Sequence, residues 1–411
     1  MKVTQVYSLM NKYAKQIQGT EGINVMDLSS FASFGDAVLG SNDAKDNFLN
    51  VLSGDIAKTV VRTLDLEVNY PKLMVNAFTY GTFLRKLTVK PILAQSAESW
   101  NVGDVSFTPT NFKIDKPAVT EKLFTGVTPF EFDLTIPDRL FMGAFKDPEN
   151  MGAFITAIID ALSKSVVLYV NYANRMCLNL AIAKKINDDK NVIHLLTEYN
   201  ATIPVAEAIS DANIALINPD FLRFAGKRVT DMMRYMREPN TIFNIENEVR
   251  STSRDNMHVF MLGEFMSASD RFLQADVWHN ELTALPNYQE VVAFQGLLSL
   301  RTPSNESTKK GAKVGDDPEP VLDKLPNFET ASTINVKIGE TNDAKANSDI
   351  VVNQSYIIGA LFDRQALFTT IYDNRMHTDR NNRNEYTNYT NIVDIGHAID
   401  ESEQGCVFVI D

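Results

Sequence analysis

The spacing of apolar positions changes several times along the chain, and each change marks an element. The opening "MKVTQVYSLMNKYAKQI" places Val3, Val6, Met10, Tyr13 and Ile17 on one helical stripe, with lysines interspersed. Up to about residue 70, short amphipathic pieces alternate with Gly and Ser stretches such as "DLSSFASFGDAVLGSNDAKDN". These hold too little continuous apolar material for a core of their own, so the segment reads as an arm that packs on something else. From "AFTYGTFLRKLTVKP" the pattern turns to strands. "TPFEFDLTIPD" alternates Phe130, Phe132, Leu134 and Ile136 with Glu131, Asp133 and Thr135, which predicts a half-buried strand. Between them, "SWNVGDVSFTPTNFKIDKPAVTEKLF" carries prolines, a Gly-Asp turn and short alternations, the pattern of a long extended hairpin.

A single long helix is predicted next. In "KDPENMGAFITAIIDALSKSVVLYVNYANRMCLNLAIAKKI", Asp147 is the N-cap, Pro148 the first helical residue, and Glu149 suits the helix dipole. Met151, Ile155, Ile158, Leu162, Val166, Tyr169, Ala173, Met176 and Leu180 recur at about 3.6 residues per step. At ~1.5 Å per residue such a helix is about 60 Å long.

The remainder alternates helices and strands. "NPDFLRFAGKRVTDMMRYMREP" is a helix started by Asn218 and Pro219 and stopped by Pro239. "MHVFML" reads as a strand, "SASDRFLQADVWHN" as a helix capped near Ser267, and "QEVVAFQGLLSL" as a second strand region. Residues 302–350 hold four prolines, six lysines and nine acidic residues, which marks a polar, solvated insertion with one hairpin through "STINVKIG". Strands resume at "IVVNQSYIIGALF", and "CVFVID" is an apolar strand in need of a partner.

Composition narrows the function. With 411 residues, 44% of them apolar and 22% charged, the chain can bury a large core. A net charge of -13 argues against a protein built to clamp nucleic-acid phosphates. The most basic patch, Arg223, Lys227, Arg228, Arg234 and Arg237, reads as a solvated helix face. Two cysteines cannot form a disulfide framework, and Cys177 among Met176 and Leu178 reads as a small core residue with a raised pKa. The start lacks the h-region of a signal peptide, and no run of about 18 uncharged apolar residues suggests a membrane span.

Phosphate-loop, dinucleotide, nucleophile-elbow and zinc-protease motifs are absent, and the five histidines are scattered singly. No catalytic, cofactor-binding or metal-binding residue is assigned. "DRQALFTTIYDNRMHTDRNNRNEYTNYTN" could stack single-stranded bases on Tyr386 and Tyr389, but Asp373, Asp379 and Glu385 interrupt its cations. A polar strand and loop facing a neighbouring subunit explains the same residues, because Tyr and Arg are favoured in interfaces.

The order of these parts resembles the major capsid proteins of tailed bacteriophages, which have the Hong Kong 97 fold, and most closely the short-tailed, phi-twenty-nine-like relatives. The resemblance covers roughly residues 50–411. It implies an α+β subunit with an N-terminal arm (1–75), an extended E-loop hairpin with flanking peripheral-domain strands (76–137) and a peripheral-domain spine helix (138–190). An axial domain (191–390) carries the 302–350 insertion, and a closing peripheral-domain strand (391–411) ends the fold. Phi-twenty-nine-like relatives can carry a C-terminal immunoglobulin-like domain, whereas this sequence stops at the closing strand, and the insertion is also extra.

The resemblance further implies a non-enzymatic, cofactor-free virion protein that self-assembles in the host cytoplasm. Many copies would form hexamers and pentamers of an icosahedral shell around double-stranded DNA, with a separate scaffolding protein and a portal protein, and with no membrane. Candidate inter-subunit contacts are Trp100, Asp104, Phe107, Phe112, Lys116 and Glu121 on the hairpin, and Arg375, Arg380, Arg383, Tyr386 and Tyr389 on the late polar strand. The alternatives are a bacterial encapsulating compartment of the same fold and a cytoplasmic α/β enzyme.

Overall fold

A computed structural model describes residues 3–15, 24–41, 43–49, 51–52, 70–74, 84–89, 119–124, 127–273, 288–294, 328–340, 349–381 and 384–411. The first half carries helices α1 (Val3–Ala14), α2 (Leu28–Leu39) and α3 (43–49), strands β1 (Leu84–Val89), β2 (Val119–Phe124) and β3 (Val127–Pro137), and helices α4 (Asp138–Ala144) and α5 (Pro148–Asp188). Then come β4 (Val192–His194), α6 (Leu195–Asn200), α7 (Ala212–Ala215), α8 (Pro219–Arg237), β5 (Met257–Leu262), α9 (Gly263–Leu273) and β6 (Tyr288–Val291). The chain closes with α10 (Phe328–Ala331), β7 (Ile334–Glu340), β8 (Asp349–Gln354), β9 (Ile357–Asp363), β10 (Leu367–Asn381), β11 (Tyr386–Ile399) and β12 (Gly405–Val409).

The long helix forms where its cap predicts. The Asp147 carboxylate accepts from the Glu149 backbone N–H, Pro148 occupies the first helical position, and the helix runs 41 residues until Asp189 turns left-handed at φ 57°. Its buried line follows the predicted stripe from Met151 to Val166, then moves on by one position, to Val170 and Cys177 instead of Tyr169 and Met176. The shift has two causes. Tyr169 stays half-buried between Phe130 and Phe132, and beyond Cys177 the helix is enclosed on most sides, so a single stripe no longer describes it.

Two hydrophobic cores share α5. Its first part, Met151 to Ala173, packs with α1–α3 and with β3 and β11, whereas Cys177 to Ala183 packs with the second core around β5, β9 and β12. By length and composition α5 could cross a membrane. Its apolar face is instead covered by these two cores. The first 52 residues are therefore more than an arm. Phe31, Phe34 and Phe48 join Phe145 in an aromatic cluster with ring centroids 5.5–6.5 Å apart, and all three are fully buried.

Two sheets sit on these cores. One is three-stranded, in the order β10-β11-β3 and antiparallel throughout; the other is five-stranded and mixed, in the order β4-β12-β9-β5-β6. Two sequence expectations change here. A boundary at residue 390 falls inside β11, which runs unbroken alongside β3. "CVFVID" does not close the sheet of β3. As β12 it lies between β4 and β9 in the sheet that contains "MHVFML", because a strand buried on both faces belongs at a sheet's interior.

Other details bear on the expectations. α9 starts at Gly263, directly after β5, rather than near Ser267. The hairpin through "STINVKIG" is present as β7–β8. The neighbourhood of that hairpin is less solvated than its composition suggests: Phe328, Ala331, Ile334 and Val352 enter the second core, and Ala331 O accepts from Phe294 N. The rest of the insertion, including Lys309, Lys310 and Lys313, lies outside the described residues. On α8, Arg223 and Arg234 pair with Asp220 and Asp231 and are largely exposed, as a solvated face should be.

Cys177 behaves as a core residue with a measurable consequence. Burial pushes its thiol, and that of Cys406, up to about 12. An unfolded thiol titrates near 8.5, so each thiol's contribution to stability is complete below that pH and is lost as pH rises toward the folded value. Buried Lys185, lowered to about 8 by burial, opposes this above pH 8. Chemical denaturation at pH 8 and pH 10 should therefore show Cys177→Ala losing less stability than the unsubstituted chain, by about 2 kcal/mol. Equal losses in the two chains would contradict the thiol's burial.

Candidate assembly surface

The rest of the predicted hairpin, 90–118, lies outside the described residues, and its flanking strands β1 and β2 form a two-stranded ribbon that belongs to neither sheet. Strand alternation divides it into two faces. Lys86, Thr88, Thr120, Lys122 and Phe124 are half-buried, while Leu87 (57% exposed), Val89 (60%), Val119 (58%) and Leu123 (53%) point away with Glu121. Lys86 sits directly opposite Lys122, an arrangement that is repulsive unless an anion lies between the two. Asp400 supplies it. Its side chain is 0% exposed and accepts from Lys86 at 2.6 Å and Lys122 at 2.8 Å. Lys86 also reaches Glu403, and Lys122 reaches Glu246.

These contacts set the charge state. Burial alone would raise the Asp400 pKa, but hydrogen bonds from Lys122, Lys86 and Ser402 outweigh it and hold the carboxyl well below the usual range. Burial likewise works against Lys122, and the bonds to Asp400 and Glu246 overcome it and raise its pKa. Phe124 adds an edge-to-face contact with Phe368, with centroids 5.8 Å apart. Nothing in the sequence pointed to Asp400 or Glu403, since a carboxylate in a polar turn looks the same whether solvated or clamped.

The candidate contacts fare unequally. Trp100, Asp104, Phe107, Phe112, Lys116 and Arg383 lie outside the described residues. Glu121 is exposed on the outward ribbon face. Arg375 is half-exposed on β10 and pairs with Asp394 at 2.7 Å, while the Tyr386 hydroxyl accepts from Asn381 at 3.1 Å. Arg380 is mostly covered, 3.9 Å from Asp46 beside the N-terminal helices. Tyr389 must be withdrawn as an inter-subunit contact, because it is 0% exposed and lies in the first core against α5. Residues three apart on a strand face opposite ways, so Tyr386 and Tyr389 cannot share one surface.

Among the described residues no cluster of His, Cys, Asp and Glu could hold a metal. His258 is buried and its pKa is lowered to about 4 by burial and by nearby Lys72 and Arg364, so it is a neutral core side chain. His279 lies outside the described residues.

Two hydrophobic cores thus share one long helix, and a ribbon turns an apolar face outward. The fold is that of the Hong Kong 97-type capsid proteins. Residues 8–409 match the family described as Phi29-like phage major capsid protein, and the chain belongs to that family. It is the major capsid protein of a tailed phage, a shell-forming component of the virion. This sets aside the compartment alternative.

Among solved structures, a chain in the capsid structure of Staphylococcus phage Andhra is similar, with TM-score 0.51 and 10% identity over 84% of this chain and 86% of that one. A chain in a structure of the head fiber and inner core protein gp22 of native bacteriophage P68 follows, with TM-score 0.49 and 8% identity over the same shares. At 10% identity the likeness to the Andhra chain shows the fold alone. No curated protein matches.

Proposed function

We propose that the subunit closes an icosahedral shell of hexamers and pentamers by laying its β1–β2 hairpin on a neighbouring copy. The outward ribbon face carries this reading. A two-stranded ribbon is marginal alone, and here one face is anchored on the subunit while four apolar side chains on the other are left in water. Exposed apolar clusters of this kind mark interaction surfaces. The role is structural, with no catalytic step. Assembly takes place in the host cytoplasm with a separate scaffolding protein and a portal, around double-stranded DNA held without sequence-specific contacts. The net charge of -13 suits a wall along which packed DNA must move. The 302–350 insertion, with a net charge of -3 from six Lys and nine acidic residues, is placed on the outer surface except where Phe328, Ala331 and Ile334 enter the second core.

The substitutions Leu87→Asp and Val119→Asp together test the reading. Each removes an apolar group whose burial contributes roughly 1.5–3 kcal/mol, and each places a charge at the contact. The expected product is a folded subunit with unchanged melting that forms no shells in sedimentation. Shells at normal yield would show that this face is not the contact.

A further inference from the structure

The five-residue turn Asp400–Gln404, "DESEQ", links β11 to β12 and so joins the two sheets. Four lysines grip it from two sides. Lys86 and Lys122 reach Asp400 and Glu403 from the ribbon. From the end of α5, Lys184 pairs with Glu401, and buried Lys185 donates to the backbone carbonyl of Glu403 at 3.1 Å. The turn's backbone is fixed as well: Asp400 N donates to Ala366 O, and Gln404 O accepts from Asp363 N at the end of β9.

We propose that this turn is a positioning device that sets the angle at which the hairpin leaves the subunit. Among the described residues the ribbon is also held where Lys122 meets Glu246, Phe124 meets Phe368 and Arg250 reaches Thr88 Oγ1 at 3.4 Å. The clamp is directional, since two opposed lysines converge on one carboxylate and fix both strands at once. It also acts as a unit: tilting the ribbon away breaks both lysine contacts of Asp400 and the Lys86 contact of Glu403 together, while Glu403 keeps Arg250 at 3.7 Å and Asp400 keeps Ser402. Because α5 holds the far side of the turn, that angle is referred to the helix shared by both cores.

The importance of the angle for shell building rests on the proposed assembly role, but the clamp itself is tested on the unassembled full chain. Asp400→Asn with Glu403→Gln keeps size and acceptor oxygens while removing both charges. Hydrogen exchange followed by mass spectrometry should show amides of 84–89 and 119–124 exchanging at least about tenfold faster, with β5 and β9 unchanged. Lys86→Arg with Lys122→Arg, which keeps the charges, should retain protection. Unchanged ribbon protection in the Asn/Gln chain would overturn the proposal. So would equal loosening of β9 and β12, which would make the turn a general stabiliser rather than a ribbon clamp. A chain that keeps the clamp yet never forms shells would instead count against the assembly role.

Discussion

Ile158→Asp is expected to unfold the subunit rather than only prevent its assembly. Ile158 is 4% exposed midway along the buried line of α5, in the core shared with the N-terminal helices and the three-stranded sheet. A carboxylate there has no designed partner, so it must be buried unpaired, be protonated, or force the helix off its sheet. Any of these costs several kcal/mol, on the order of 4–5, against a total stability of about 5–15 kcal/mol for a typical domain. Denaturant titration should find the protein unfolded or insoluble under conditions where the unsubstituted chain is native. A soluble chain with unchanged melting would show that this face of α5 is not buried.

Phe48→Ala should be nearly as damaging, although it lies in a segment whose sequence resembles a detachable arm. The ring is fully buried, 5.6 Å from Tyr13 in an edge-to-face pair and 5.5 Å from Phe145. Truncating such a ring costs about 3–5 kcal/mol through lost burial and the cavity left behind. If residues 1–52 were an arm that found its place only on another subunit, the isolated chain would melt unchanged. A drop in melting temperature of the unassembled subunit separates the two.

What was legible in the sequence followed from local rules. Asp147 and Pro148 fixed the start of α5, strict alternation fixed β3, and the mostly apolar "MHVFML" fixed β5. What was not legible depends on how distant segments meet. The N-terminal pieces looked too weak for a core because their apolar residues are few per segment, and only α5 gives them a surface to bury. Tyr389 was misplaced because composition was read without strand parity. The partner of "CVFVID" lies nearly fifty residues upstream in β9 and more than two hundred in β4, distances over which a local pattern carries no pairing information. Asp400 is the clearest case: its ion-pair partners Lys86 and Lys122 lie some three hundred residues earlier.

Electron microscopy of particles formed by the full chain, co-expressed with its genomic neighbours, tests the central claim most directly. The expected density is a closed shell in which the hairpin rooted at residues 84–89 and 119–124 of each subunit lies on an adjacent copy, with Leu87, Val89, Val119 and Leu123 covered. Discrete monomers or dimers, or a shell in which that face remains in solvent, would contradict it.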